Sequence, residues 1–357
     1  MSDTKKDNIA ELFKVEKKEK IPSHYIYNED IDKALMNNIP QVTNDWFKFQ
    51  SMWTYNAYAS LKDMDKYLIL MYLIQKTFTH YSDTFLILSE NTFYNMDNFE
   101  IEKINLIEIS EELKIPKETV RRKINELNKN GVIERIGKRI VLNTEAFQKQ
   151  RPVTTIKQLS VFLSKMSDII NNETKVLNEQ VDSKTLENFI RENFSLVWRF
   201  YFRTQIPNLV SWRSFYGDLE TYNVTGTVIV NQMHKLRSKY KGKGILIDND
   251  KLSNDDKFKK IYEYAFSRGD EIVGINASSI SEITGIPRAT VIRKLRQSTK
   301  FGLIQKDKNQ LYITKKLKKT KLNSFFDTGR EVQSRVYNFI ATFFSLYVSK
   351  ERIPKSK

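Results

Sequence analysis

The chain has 357 residues, with 59 Lys and Arg against 43 Asp and Glu, a formal net charge of +16. At that length about two domains and at least one sizeable core are expected. No cysteine is present, which excludes a disulfide framework, a thiolate nucleophile and any Cys-ligated metal site. The positive excess points to a polyanionic partner.

Residues 1–20 mix six Lys with five acidic side chains and hold no apolar stretch, so no signal peptide is read there. Residues 1–40 are expected to form a charged, partly flexible segment. A first long helix begins near Asp65, and its apolar run Tyr67–Ile74 is far short of the ~20 residues that span a bilayer. A cytoplasmic, nucleoid-associated protein with no membrane contact is expected.

Residues 100–143 carry the most informative pattern. Ile101–Ile104 reads as a strand, and Asn105 as an N-cap with Glu108 at the capping-box position. A helix to about Leu113, a turn at Lys114-Ile115, and a second helix opened by Pro116 follow. Val120, Ile124 and Leu127 form one stripe of that helix, and Gly131 ends it in a left-handed conformation. The segment VIERIGKRIVLN then reads as a hairpin turning at Gly137-Lys138.

Ile156–Ile170 reads as a helix and Asn171–Ser183 as a polar connection. The stretch Trp198–Tyr216 is dense in Arg and aromatic residues. Leu186, Phe189, Ile190, Asn193, Val197 and Tyr201 stand near helical spacing, so core or interface packing is expected there rather than base stacking. Lys239–Asp256 reads as an exposed loop, Asp256 onward as a helix, and Glu331–Val348 as a closing helix.

Residues 271–314 repeat residues 100–143 at a constant offset of 171, with 16 of 44 positions identical. Asn276, Pro287, Val291 and Gly302 fall where Asn105, Pro116, Val120 and Gly131 stand. The second hairpin is expected to turn near Lys308-Asn309. Leu127 is replaced by Ser298, and Phe301 is the expected filler of that gap.

The shared string IP-x-x-TV-x-RK…G-[VL]-I resembles the winged helix-turn-helix domain of bacterial regulators of the broad MarR and Crp type. The resemblance covers about a quarter of the chain. It implies a mainly α fold with two winged helix-turn-helix modules, each with a small β-hairpin wing, embedded in additional aromatic-rich helices. The expected division is 1–40, a first module over 41–170, a linker over 171–185 and a second module over 186–357.

With Val120 at the centre of the buried face, Glu118, Arg122, Asn125 and Lys129 point outward, beside Lys117, Thr119 and Arg121. In the second copy the candidates are Arg288, Thr290, Arg293, Lys294, Arg296 and Lys300, with Ile292 on the flank. Arg pairs with guanine and Asn with adenine in the major groove. Lys138 and Arg139, and Lys306 and Lys308, lie on the wings and suit phosphate. Residues 278–314 carry seven basic and two acidic residues, and five more Lys follow by residue 321.

The expected function is therefore sequence-specific double-stranded DNA binding through two recognition helices, as a transcriptional regulator. A plasmid-type replication initiator is the alternative within DNA binding, and a protein-interaction scaffold the alternative outside it. No phosphate-binding Gly loop or metal motif is found, and three scattered His make no site. No enzyme, cofactor or metal is expected. The aromatic helices leave room for a small-molecule effector of unspecified identity and for a homodimer contact.

Overall fold

The computed structural model describes residues 29–83, 87–96, 98–101, 105–136, 139–143, 151–174, 176–177, 179–239, 253, 256–257, 259–260 and 274–351. Within them the chain builds one series of elements twice. The first series is α1 (Glu29–Asn37), α2 (Ile39–Leu61), α3 (Met64–Asp83), the short α4 (Glu90–Tyr94), β1 (Asn98–Ile101), α5 (Leu106–Leu113), α6 (Lys117–Lys129), β2 (Ile133–Ile136), β3 (Arg139–Asn143) and α7 (Val153–Glu173). The second is α8 (Ser183–Glu192), α9 (Phe194–Tyr216), α10 (Leu219–Lys239), α11 (Ala277–Thr284), α12 (Arg288–Lys300), β4 (Ile304–Lys306), β5 (Tyr312–Thr314) and α13 (Lys319–Glu351).

The duplication reaches well beyond the helix-turn-helix cores. Helices α2 and α9 are both 23 residues long and begin 155 residues apart. Asn38 and Asn193 separate each from the helix before it. Each ends at a residue of positive φ, Lys62 (53°) or Gly217 (87°). Asp63 or Asp218 then precedes the next helix. The place of α3 in the second copy is therefore taken by α10, which packs on α11 and α12 as α3 packs on α5 and α6. The helix that the sequence predicts from Asp256, of which residues 256–257 and 259–260 are described as helical, would be the counterpart by its DK-aromatic start, but the packing gives that place to α10. The helices before the two cores are 155 residues apart and the cores 171, so the longer connection lies in the second copy, not the first.

Contacts between the copies are reciprocal. Helix α3 packs on α9 while α10 packs on α2; α5 touches α9 while α11 touches α2; α7 packs on α8 while α13 packs on α1. Exchange of equivalent contacts is the mark of a twofold relation, here inside one chain. At its centre two equivalent amides meet: Gln205 Nε2 donates to Gln50 Oε1 at 2.9 Å, both side chains buried. The core runs along this seam, with Trp53 and Phe49 edge-on to Tyr201 at 5.7 and 6.1 Å. The aromatic stretch of α9 is thus core: Trp198, Tyr201, Phe202, Trp212 and Tyr216 are all buried.

The connection between the copies is not an open tether. Leu177 and Val181 are buried, and Ser164 Oγ donates to the Val181 carbonyl at 2.8 Å. Residues 29–40, assigned to the charged N-terminal segment, join the folded body through buried Ile31, Leu35 and Ile39. In the first copy β1, β3 and β2 form an antiparallel sheet in that order, Phe99 opposite Leu142 and Ile133 opposite the same residue from the other side. In the second, β4 pairs with β5, and the first strand is reduced to a single bridge between Ile275 and Tyr312.

Candidate nucleic-acid interface

The helix-turn-helix is set by the same local contacts in both copies. Asn105 Oδ1 accepts from Ile107 N, and Asn276 Oδ1 from Ser279 N, so each α5-type helix is capped by its Asn. Glu108 accepts from Lys76 and Tyr72 at 2.7 and 2.8 Å. Lys76 is the main cause holding its carboxyl below the usual range, with Tyr72 and the Asn105 backbone adding to it. The turn passes through a left-handed residue, Lys114 (φ 51°) or Gly285 (φ 67°). Ser110 Oγ donates to the Ile115 carbonyl and Ser281 Oγ to the Ile286 carbonyl, each at 2.7 Å.

The second helices, α6 and α12, bury one stripe each. Val120, Ile124 and Leu127 are buried in α6, and Val291, Leu295 and Ser298 in α12. Gly131 (φ 68°) and Gly302 (φ 74°) end them. The next N–H of each bonds back five residues, Val132 to Leu127 and Leu303 to Ser298, at 3.0 Å. This closes the helix in the left-handed cap that the glycine permits.

Ser298 does not need Phe301. Its Oγ sits 2.6 Å from Thr225 Oγ1, with both residues fully buried, and Thr225 holds the position that Leu70 holds in the first copy. Two buried apolar residues of the first copy, Leu70 and Leu127, thus stand where the second has a hydrogen-bonded pair. Phe301 instead stays 42% exposed, under the Lys321 ammonium.

Outward from these stripes, Lys117, Glu118, Arg121, Arg122, Asn125 and Lys129 are exposed on α6, with Thr119 half-buried. Arg288, Arg293, Arg296 and Lys300 are exposed on α12, with Thr290 and Ile292 half-buried. The electrostatics of the two faces differ. On α6, Arg121 is bound to Glu118 at 2.7 Å and Arg122 lies 3.8 Å from Glu126. On α12, Arg293, Arg296 and Lys300 make no ion pair among the described residues, while Arg288 Nε donates to Ser278 Oγ at 3.1 Å.

Lys294 departs from the sequence expectation. It is 6% exposed and its Nζ is 2.6 Å from Asp218 Oδ2, so it faces the α10 junction rather than the outer face. Lys123 is its equivalent and is paired with Asp63. The reason is angular: three residues after Val291, Lys294 lies on the flank of the buried stripe. Of the wing residues, Lys306 and Lys308 are exposed, and Lys306 Nζ donates to Gln310 Oε1 at 3.2 Å. Arg139 opens β3, and Lys138 lies outside the described residues.

Among the described residues no helix is long and apolar enough to cross a membrane. None of their His, Asp and Glu side chains cluster in a group of three that could hold a metal ion.

Residues 100–146 match the family model of a DeoR-like helix-turn-helix domain. The match runs from the end of β1 through the two helices and the wing of the first copy, and supports DNA binding and a role in transcriptional regulation. No curated protein and no solved structure matches the chain.

Proposed function

We propose that the chain is a transcriptional regulator that reads duplex DNA with two recognition helices, α6 and α12, one from each copy. The observation that carries this reading is the pair of exposed faces. At equivalent positions both helices hold Arg122 or Arg293 and Lys129 or Lys300 away from a stripe that seals the module core. Such a helix fits the major groove, with base edges met by its outer side chains and phosphates by the wing.

The two faces divide the work. The unpaired cations of α12, followed by exposed Lys315, Lys316, Lys318 and Lys319, make the second copy the electrostatic anchor. Arg121 and Arg122 must exchange Glu118 and Glu126 for DNA, so the first copy contributes selectivity more than attraction. Asn125 against Arg296 directs the subsites to different bases, adenine and guanine. The reciprocal contacts between copies support subsites read as an inverted pair, as in a dimer bound to half-sites. In this reading residues 41–170 and 186–357 are the two DNA-reading halves.

Selection from randomised duplexes with the wild type, Asn125→Ala and Arg296→Ala tests the assignment. Each variant should lose preference in a different subsite, at a cost of ~1–3 kcal/mol. Affinity should fall ~10³-fold between 50 and 200 mM salt for about six phosphate contacts. Absence of duplex binding at low salt refutes the reading and favours a protein-interaction scaffold. Mapping of bound sites in the genome separates promoters from the repeat array of a replication origin.

A further inference from the structure

The two copies differ where α10 crosses α2. There a narrow cleft opens between α2, α9, α10 and the start of α13, with about 30 Å³ of free space inside and a mouth open to solvent. Its walls are aromatic: Trp212 stacks on Tyr222 at 5.8 Å and 15°, and Phe325 lies 5.4 Å from the Trp212 ring. Among the described residues no Asp, Glu, Lys, Arg or His lines it. Half-buried Phe47, Ser51, Tyr55 and Val230 form its rim.

Two residues of α10 make this cleft more than a packing fault. Asn223 lines it, is 2% exposed, and neither its Nδ2 nor its Oδ1 has a hydrogen-bond partner among the described residues. A buried amide without partners is costly to keep. Gly226, one turn on, lines it too, and a Cβ there would meet nothing within 4 Å. Glycine in mid-helix weakens the helix, yet here it leaves open space.

The other copy supplies the comparison. At the positions 155 residues earlier α3 carries Leu68 for Asn223 and Met71 for Gly226, both buried. Thr54 and Tyr55, on the α2 wall of the cleft, correspond to Leu209 and Val210 on α9. One side of the twofold relation is filled with apolar side chains. The other side gives up that filling for a cleft with a buried amide.

We propose that this cleft binds an uncharged planar heterocycle bearing an amide-type donor–acceptor edge. The aromatic walls stack on the ring faces, the neutral lining disfavours charge, and the Asn223 amide pairs with the edge through one donor and one acceptor. A lactam and a nucleobase share this chemistry. The site is independent of the DNA-binding reading, because ligand binding is measured on the protein alone.

The test uses the full chain and four probes: 2-quinolone as lactam, hypoxanthine as nucleobase, naphthalene as a flat ring without the edge, and quinoline-2-carboxylate as a charged analogue. Affinities are read by saturation-transfer NMR and by thermal shift. Either 2-quinolone or hypoxanthine is expected to bind, and which of them does so separates the two sources. The charged analogue should be ~10-fold weaker or more. Gly226→Met and Asn223→Leu each install the residue of the other copy, so melting temperatures at or above the wild type are expected. Gly226→Met should abolish binding of every probe. Asn223→Leu should weaken the edge-bearing probe ~10-fold or more while leaving naphthalene unchanged or tighter. If Gly226→Met fails to fold, the ratio of edge-bearing probe to naphthalene in Asn223→Leu decides. The proposal is overturned if neither 2-quinolone nor hypoxanthine binds the wild type, if Gly226→Met binds as well as the wild type, or if that ratio is unchanged in Asn223→Leu.

Discussion

Replacing Asp218 by Asn should expose how the second helix-turn-helix is locked to the rest of the chain. Asp218 does two things at once. It caps α10, accepting from Thr221 N at 2.7 Å, and it faces the Lys294 ammonium at 2.6 Å. Asn caps a helix about as well as Asp, so Asp218→Asn keeps the first role and removes only the counter-charge. Lys294 is then a cation with 8% of its side chain exposed and no directly paired carboxylate, the Glu220 charge acting on it from further off. Breaking a buried pair costs about 3–5 kcal/mol. The Asp218 side chain is 24% exposed, so water relieves part of that, and a loss of about 2–4 kcal/mol is expected. Lys294→Met leaves a carboxylate that still holds its cap bonds near solvent, and should cost less. The double variant should recover at least ~1 kcal/mol relative to the sum of the singles. Urea unfolding followed by tryptophan fluorescence measures all four proteins. An Asp218→Asn loss below ~0.5 kcal/mol, or strict additivity, refutes the reasoning.

The same pair sets a pH dependence. Burial pushes the Asp218 carboxyl up, but the Lys294 ammonium and the Thr221 N–H and hydroxyl outweigh it and hold the group below its ordinary value. The folded state therefore binds this proton less readily than the unfolded state. Its contribution is present above the unfolded carboxylate value of about 3.9 and is lost as pH falls through the depressed folded one. Asp218→Asn should flatten that part of the acid limb. Because Lys294 points inward, Lys294→Met should leave the salt dependence of DNA binding unchanged, whereas Lys308→Ala on the exposed wing should lower its slope by about one phosphate.

Further outcomes follow from the local geometry. Gly302→Ala meets no neighbour within 4 Å but must hold φ near 74°, so its cost in urea unfolding should be about 1–2 kcal/mol of backbone strain alone. The two turns give an internal exchange: Lys114→Gly should stabilise by about 0.5 kcal/mol and Gly285→Ala should destabilise by about 1 kcal/mol. A Gly285→Ala protein with unchanged stability would show that the turn relaxes out of the left-handed region. Thr225→Val strands the buried Ser298 hydroxyl and should cost ~1–3 kcal/mol in the same assay, and adding Ser298→Ala should restore part of it.

Much of the helix-turn-helix was legible because its determinants are local and occur twice. Asn105 and Asn276 cap, Gly131 and Gly302 take positive φ, and the Val120 and Val291 stripes are buried, as their spacing requires. The inward turn of Lys294 was legible too, in its three-residue distance from Val291, but its partner Asp218 is 76 residues away in the chain. The longer duplication left a fainter trace: Asn38, Val42, Phe47, Gln50, Asp63 and Tyr67 recur 155 residues on as Asn193, Val197, Phe202, Gln205, Asp218 and Tyr222. Those identities fall at caps, at the twofold seam and along the packed faces, while positions between them diverge in size and polarity, as Trp53 against Asn208 and Ala57 against Trp212. That divergence is why α9 reads as an aromatic run rather than as a second α2. The tertiary structure alone decided which helices pair. The reciprocal seating of α3 on α9 and α10 on α2 depends on side chains from distant parts of the chain. It turns two linked modules into one interlocked pair and leaves, on one side only, a cleft around Asn223.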